Sequence, residues 1–88
     1  MDNIYKALAD PTRRRILEIL KKRDMTVSDI AVNFSITGAS LSHHLDILKR
    51  ARLVVSQRQG KYIIYSLNTS VFEEIAKSLF NVFKRWNC

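Results

Sequence analysis

Leu41, Leu45 and Leu48 recur at i, i+4 and i+7 inside the stretch "TGASLSHHLDILKR", residues 37–50, and this spacing predicts a helix with one purely aliphatic edge. The opposite edge then carries Ala39, His43 and Arg50, flanked by Ser40 and Ser42, while His44 falls near the border of the aliphatic edge. Thr37 is the predicted N-cap. A helix of this kind must bury its leucines in a core and turn short polar groups outward. The rest of the chain has to supply that core.

Adjacent histidines beside serines invite a metal or a catalytic reading, and helical geometry opposes both. The two rings point about 100° apart, and the residues at i+4, Ile47 and Leu48, cannot ligate a metal. Ser42 and His43 also diverge, with no third group to orient a base. No catalytic residue, metal site or cofactor is therefore expected. His44 reads as a partly buried histidine held by the backbone or a neighbour. Short hydroxyls, a methyl group and one imidazole on an outer helical face suit close approach to base edges in a DNA major groove.

Two Gly and one Pro leave little punctuation, so the 88 residues read as a single tightly joined domain spanning 1–88. "DNIYKALA" predicts a short first helix. Asp10 caps a second helix that opens on Pro11 and buries Ile16, Leu17 and Leu20, with "KKRD" closing it. Thr26 and Asp29 form a capping box for a third, two-turn helix with Val27, Ile30, Ala31 and Phe34 inward. A tight turn at Ser35-Ile36 leads to the leucine helix. "LVVSQRQGKYIIYSL" predicts two antiparallel strands reversing at Gly60, and Ser70 with Glu73 forms a capping box for a last helix. The fold class is mainly α with a small β-hairpin: five helices, the two strands lying between the fourth and the fifth.

The formal charge is +7, from 15 Lys and Arg against 8 Asp and Glu, and residues 51–67 hold three basic and no acidic side chains. Such an excess draws a polyanion. Arg58, Gln59 and Lys61 sit at the hairpin tip, placed like a basic finger beside the polar helix. The lone cysteine, Cys88, cannot form an internal disulfide; no apolar run opens the chain, and none reaches the ~18–20 residues of a membrane span. A cytoplasmic protein is expected, and the Asn68-Thr69-Ser70 sequon is read as chance.

Together "ALADPTRRRILEIL", "LSHHLDILKRARLV" and "GKYIIYSLN" closely resemble the ArsR-type winged helix-turn-helix repressors, and the whole chain is most similar to the small SdpR-like autorepressor branch. The resemblance implies a dimeric transcriptional repressor binding double-stranded DNA at an inverted repeat. Thr37 to Arg50 would be its recognition helix, with Thr37, Ala39, Ser40, Ser42 and His43 meeting the DNA, and Gln57 to Lys61 its wing. It also implies autoregulation and raises relief by a protein partner. Many members sense metals, but "TVSDIAVNF" has no Cys and the last helix no His, so that role is not carried over. The family usually has Gly where this chain has Arg52; a left-handed backbone there would cost about 1 kcal/mol, which charge near DNA could offset.

Two questions stay open in the sequence. Arg13-Arg14-Arg15 opposes the dipole of its own helix, which leaves phosphate contact on one side and dimer salt bridges or a solvated face on the other. The last helix places Phe72, Ile75, Leu79, Val82, Phe83 and Trp86 along one broad side; with all of them exposed the patch would exceed what a monomer tolerates, and the alternative is a core helix of a monomer. Pairing first and last helices of two copies would cover it, adding Ile4, Tyr5 and Leu8. An alternative to DNA binding is a winged-helix module that docks an acidic protein partner.

Overall fold

The leucine edge is where the chain closes on itself. The computed structural model of the protein describes residues 4–86, so Cys88 and the start of "DNIYKALA" lie outside the described residues. Its elements run α1 (Ile4–Ala9), α2 (Pro11–Leu20), β1 (Met25–Thr26), α3 (Val27–Ala31), α4 (Gly38–Arg50), β2 (Val54–Gln59), β3 (Tyr62–Leu67) and α5 (Thr69–Trp86). Leu41, Leu45 and Leu48 are at most 1% exposed and join Ile16, Leu20, Ile30, Leu53 and Val54 in one core.

Helix starts follow the capping chemistry read from the sequence. The Asp10 carboxylate accepts from the N–H groups of Thr12 and Arg13 at 2.8 and 3.2 Å. Burial pushes this carboxyl up, but those two N–H groups, with the charge of Arg13 and of His44 when protonated, outweigh it and hold Asp10 below the usual carboxylate range. A depressed folded value means the cap contributes at neutral pH and is lost only as acid takes the pH below that range. Thr26 and Asp29 exchange both bonds of their capping box. Thr37 accepts from the Ser40 N–H at 3.0 Å.

Four expectations need correction. The sheet has three strands, ordered β1-β3-β2, because Met25 and Thr26 pair with Tyr65 and Ile64; two residues are too few to show alternation in a sequence. Helix α3 is shorter than expected, with Ala31 exposed, and residues 32–37 form a longer link to α4 than the tight turn read from Ser35-Ile36. Asn33 tightens that link by donating to the Asp29 and Ile30 carbonyls. Helix α5 starts at Thr69, so Ser70 lies within its first turn and is not the cap. The Asn68 carbonyl, fixed by its own N–H bond to Leu53, accepts from Val71 and Phe72 instead.

Arg52 has φ 62°, the one non-glycine left-handed residue among those described. Its N–H bonds the Lys49 carbonyl while that of Leu53 bonds Leu48, both at 3.0 Å. This pair of bonds ends α4 and folds Leu53 back onto Leu48 in the core. The charge is not spent at the polar end of α4: Arg52 lines a crevice with Ile4, Val71 and Glu74, about 20 Å along the helix from Thr37. Gly60, also at φ 62°, provides the first central position of the two-residue reversal between Gln59 and Tyr62, the II′ pattern that suits a hairpin.

Replacing Arg52 by Gly removes the side-chain strain of the left-handed turn. Urea unfolding should show Arg52→Gly more stable by about 0.5–1 kcal/mol. An unchanged or lowered midpoint would mean the turn carries no such strain.

Candidate nucleic-acid interface

Because the leucines are packed inside, the opposite edge of α4 has to face solvent. Ala39, Ser42 and His43 are exposed there, and Ser40 is half-buried. Thr37 is exposed, but its hydroxyl oxygen is committed to the Ser40 N–H, so only its own hydroxyl proton is free to donate outward. Asp46 is an acidic group on the same edge that the sequence reading passed over. Its carboxylate accepts from Arg50 Nε at 3.1 Å, which confines the polar, uncharged part of the edge to the first two turns. Val32, 85% exposed, and Ile36 add apolar surface in the preceding link.

The hairpin separates the three tip residues. Arg58 pairs with Ile63 and Gln59 with Tyr62, so successive side chains leave opposite faces of the sheet, while Lys61 occupies the turn. All three are exposed. Arg58 folds back to donate from Nε to the Gly60 carbonyl at 3.1 Å, and the Lys61 ammonium lies 5.6 Å from the centre of the Tyr62 ring. The tip is thus a shaped cationic knob with partly ordered side chains.

Two members of the arginine triplet carry a role that was not among those read for it. Helix α1 is short and leaves its last four carbonyls without partners. Arg13 donates from Nε to the Ala7 carbonyl and from Nη2 to that of Lys6, both at 2.9 Å, and Arg14 donates to that of Leu8 at 2.8 Å. Two cations thus cap the negative end of one helix from the first turn of the next. Arg13 Nη1 also meets His44 Nδ1 at 3.2 Å. Arg15 lies over the Phe34 ring, 5.9 Å from its centre. Arg13 is only 8% exposed. One sequence signal could have shown this: 13, 16, 17 and 20 share the i, i+3, i+4, i+7 stripe of α2, as 41, 44, 45 and 48 do on α4.

A second face lies at the other end of the molecule. None of α5 is buried, and Leu79, Val82, Phe83 and Trp86 are 45–77% exposed, as is Tyr5 at 85%. Phe72, Ile75 and Leu8 instead pack partly on the core, and Ile4 is spent inside it. Between α1 and α5 runs an apolar groove of about 400 Å³ with Tyr5, Leu8, Ile75 and Leu79 on its walls. Ile4 also lines this groove. A radius of gyration of 14.5 Å exceeds the ~12 Å of a compact chain this long, because the part of α5 beyond Ile75 projects from the core.

No three of His, Cys, Asp and Glu gather as a metal site would need among the described residues, and no described helix is long and apolar enough to cross a membrane. Helices α3 and α4, their link, and a basic hairpin following directly define the class: a winged helix-turn-helix regulator. Residues 10–56 match the model of the bacterial regulatory protein, arsR family. The chain belongs to that family. It is 49% identical to the transcriptional repressor SdpR of Bacillus subtilis over 81 residues, 92% of this chain and 90% of that protein. It is 30% identical to the arsenical resistance operon repressor of Staphylococcus xylosus, over 90% of this chain and 76% of the relative. The crystal structure of an ArsR family transcriptional regulator superimposes with a TM-score of 0.90 at 28% identity, covering 99% of this chain and 96% of that one. A homodimeric winged helix-turn-helix DNA-binding domain from Mycobacterium bovis gives 0.76 at 25% identity, over 94% and 77%.

If Arg13 works as an internal cap, its loss strands two carbonyls and an imidazole. Arg13→Met should lower unfolding free energy by roughly 2–3 kcal/mol, whereas Arg15→Met should change it by less than about 1 kcal/mol. Equal small effects would show that the Arg13 contacts contribute nothing.

Proposed function

We propose that the chain is a cytoplasmic, homodimeric transcriptional repressor that reads an inverted-repeat operator with α4 and holds the flanking backbone with its β2–β3 wing. The observation that carries this reading is the outward edge of α4: Ala39, Ser42 and His43 stand in solvent, in a chain of the arsR family whose next element is a hairpin with a cationic tip. Short side chains let the helix backbone come near the groove floor, and Ser42 and His43 supply hydrogen-bonding groups for base edges. Thr37 and Ser40 serve the helix start and contact DNA from its rim. Arg58, Gln59 and Lys61 make the sequence-independent contacts, in which counterion release gives most of the affinity.

Pairing of two copies supports the same reading. The uncovered stripe of α5, with Tyr5 and Leu8 of α1, is an apolar surface that a two-fold mate covers with the same residues. Two recognition helices then stand about 34 Å apart, one turn of DNA. Repression follows by occupancy: the dimer covers a promoter and excludes polymerase. We include autoregulation of the chain's own gene and relief by a protein partner in the proposal. The relatives named as repressors weigh against the same face being a dock for an acidic protein.

Selection of bound genomic fragments should recover an inverted repeat upstream of the chain's own gene. On that duplex, His43→Ala should relax base preference, while Lys61→Ala should weaken all sequences alike and lower the salt slope by about one. Raising salt from 50 to 200 mM should cost at least about 10³ in affinity. Parent-like behaviour of both variants would unseat the assigned reading face. Separately, Leu79→Glu should give a monomer in sedimentation and remove operator binding at concentrations where the parent is saturated; a dimer that still binds would move the interface elsewhere.

A further inference from the structure

Arg13 is the one charged side chain in the buried set of described residues, and it ties three elements together: it grows from α2, holds the last carbonyls of α1, and meets His44 on the recognition helix. A guanidinium has donors only. The contact with Nδ1 at 3.2 Å is a hydrogen bond when Nδ1 is the acceptor, that is, when the ring carries its proton on Nε2 alone. A proton on Nδ1 would remove the acceptor and set two cations against each other. Arg13 would keep the α1 carbonyls, but α4 would lose its bond to the hub.

The groups around this ring fix the direction of the effect. Asp10, at the start of α2, is the acidic neighbour, and its carboxylate is occupied by the N–H groups of Thr12 and Arg13, so it moderates a new positive charge without replacing the lost acceptor. His43 lies beside it on α4 with ring centres 6.1 Å apart. Lys6 of α1 is exposed and offers this hub its carbonyl, not its ammonium. The charged groups that face the ring are thus Arg13 and Asp10.

We propose that the Arg13–His44 bond makes the presentation of the recognition helix proton-sensitive: in acid the ring leaves Arg13, α4 loosens against α1 and α2, and operator affinity falls. The inference rests on the DNA-reading role given above. It makes His44 a positioning residue, acting through Arg13 rather than on the nucleic acid. Because α1 also supplies Tyr5 and Leu8 to the uncovered face, the same bond connects that face to the reading helix.

The sign separates His44 from His43. A proton on exposed His43 adds a cation at the reading face and tightens binding, whereas one on His44 weakens it. The chain has two histidines, so His43→Asn leaves His44 as the sole imidazole. His44→Asn keeps an acceptor oxygen at the same distance from Cβ as Nδ1 and cannot titrate in this range. Anisotropy with the selected operator duplex at constant ionic strength is measured at pH 8 and pH 5 for His43→Asn and for the His43→Asn/His44→Asn pair. The single variant should lose affinity on the order of tenfold in acid, the worth of one hydrogen bond to a charged group, and the double variant less than about twofold. Equal losses overturn the proposal. The nitrogen NMR spectrum of the free, unmutated chain tests the link independently of folding in the variants: an unprotonated Nδ1 on His44 at pH 8 supports it, and a protonated one overturns it. Failure of every variant to bind any duplex at pH 8 instead overturns the DNA-reading role, while the ring spectrum still decides the link.

Discussion

Burial of Leu41, Leu45 and Leu48 is the constraint on which the molecule depends. All three sit in one core with Ile16, Leu17 and Leu20 of α2 and with Leu53 and Val54, and a cavity at any of them would cost roughly 2–5 kcal/mol. Their burial sets the rotation of α4 about its axis, and that rotation decides which residues face water. The hairpin inherits its position from the same helix through the bonds at Arg52 and Leu53, which lead the chain straight from α4 into β2. The reading face and the wing are thus two outcomes of one packing event.

A small core needs help in fixing helix ends, and here polar side chains provide it. The six residues of α1 are too few to be stable as an isolated helix. Arginines from the next helix satisfy three of its terminal carbonyls, and Asp10 between them caps α2 in the other direction. A buried guanidinium is costly unless it is fully hydrogen-bonded. Arg13 meets that condition with partners from two helices besides its own, so it locks a tertiary arrangement as well as a helix end.

Most of this architecture was legible in the residues because its signals are local. The Asp10, Thr26 and Thr37 caps, the leucine edge and the Gly60 reversal are each decided by neighbours within a few positions, whereas a left-handed Arg52 was raised only by the family resemblance. What the sequence hid was non-local. The strand at Met25 exists only because β3 lies beside it, and the start of α5 was displaced by a bond from Asn68 to Leu53. The capping role of Arg13 and Arg14 is hidden for a different reason: their partners are backbone carbonyls, which carry no residue-type signature. For the candidate interface, exposure of Ala39, Ser42 and His43 followed from the leucines, whereas the tethering of Asp46 and Arg50 and the splitting of Arg58 from Gln59 across the sheet required coordinates.

Thr26 holds two posts at once: it is the last residue of β1, paired with Ile64, and the cap of α3. The central strand of the wing is therefore stitched to the helix that precedes the recognition helix by a hinge with no spare residue. Any rocking of the wing has to drag α3 along or break that pairing. The hairpin is consequently a fixed bracket at its base, so the spacing between the surfaces on either side is dictated by the protein and must be met by whatever it grips.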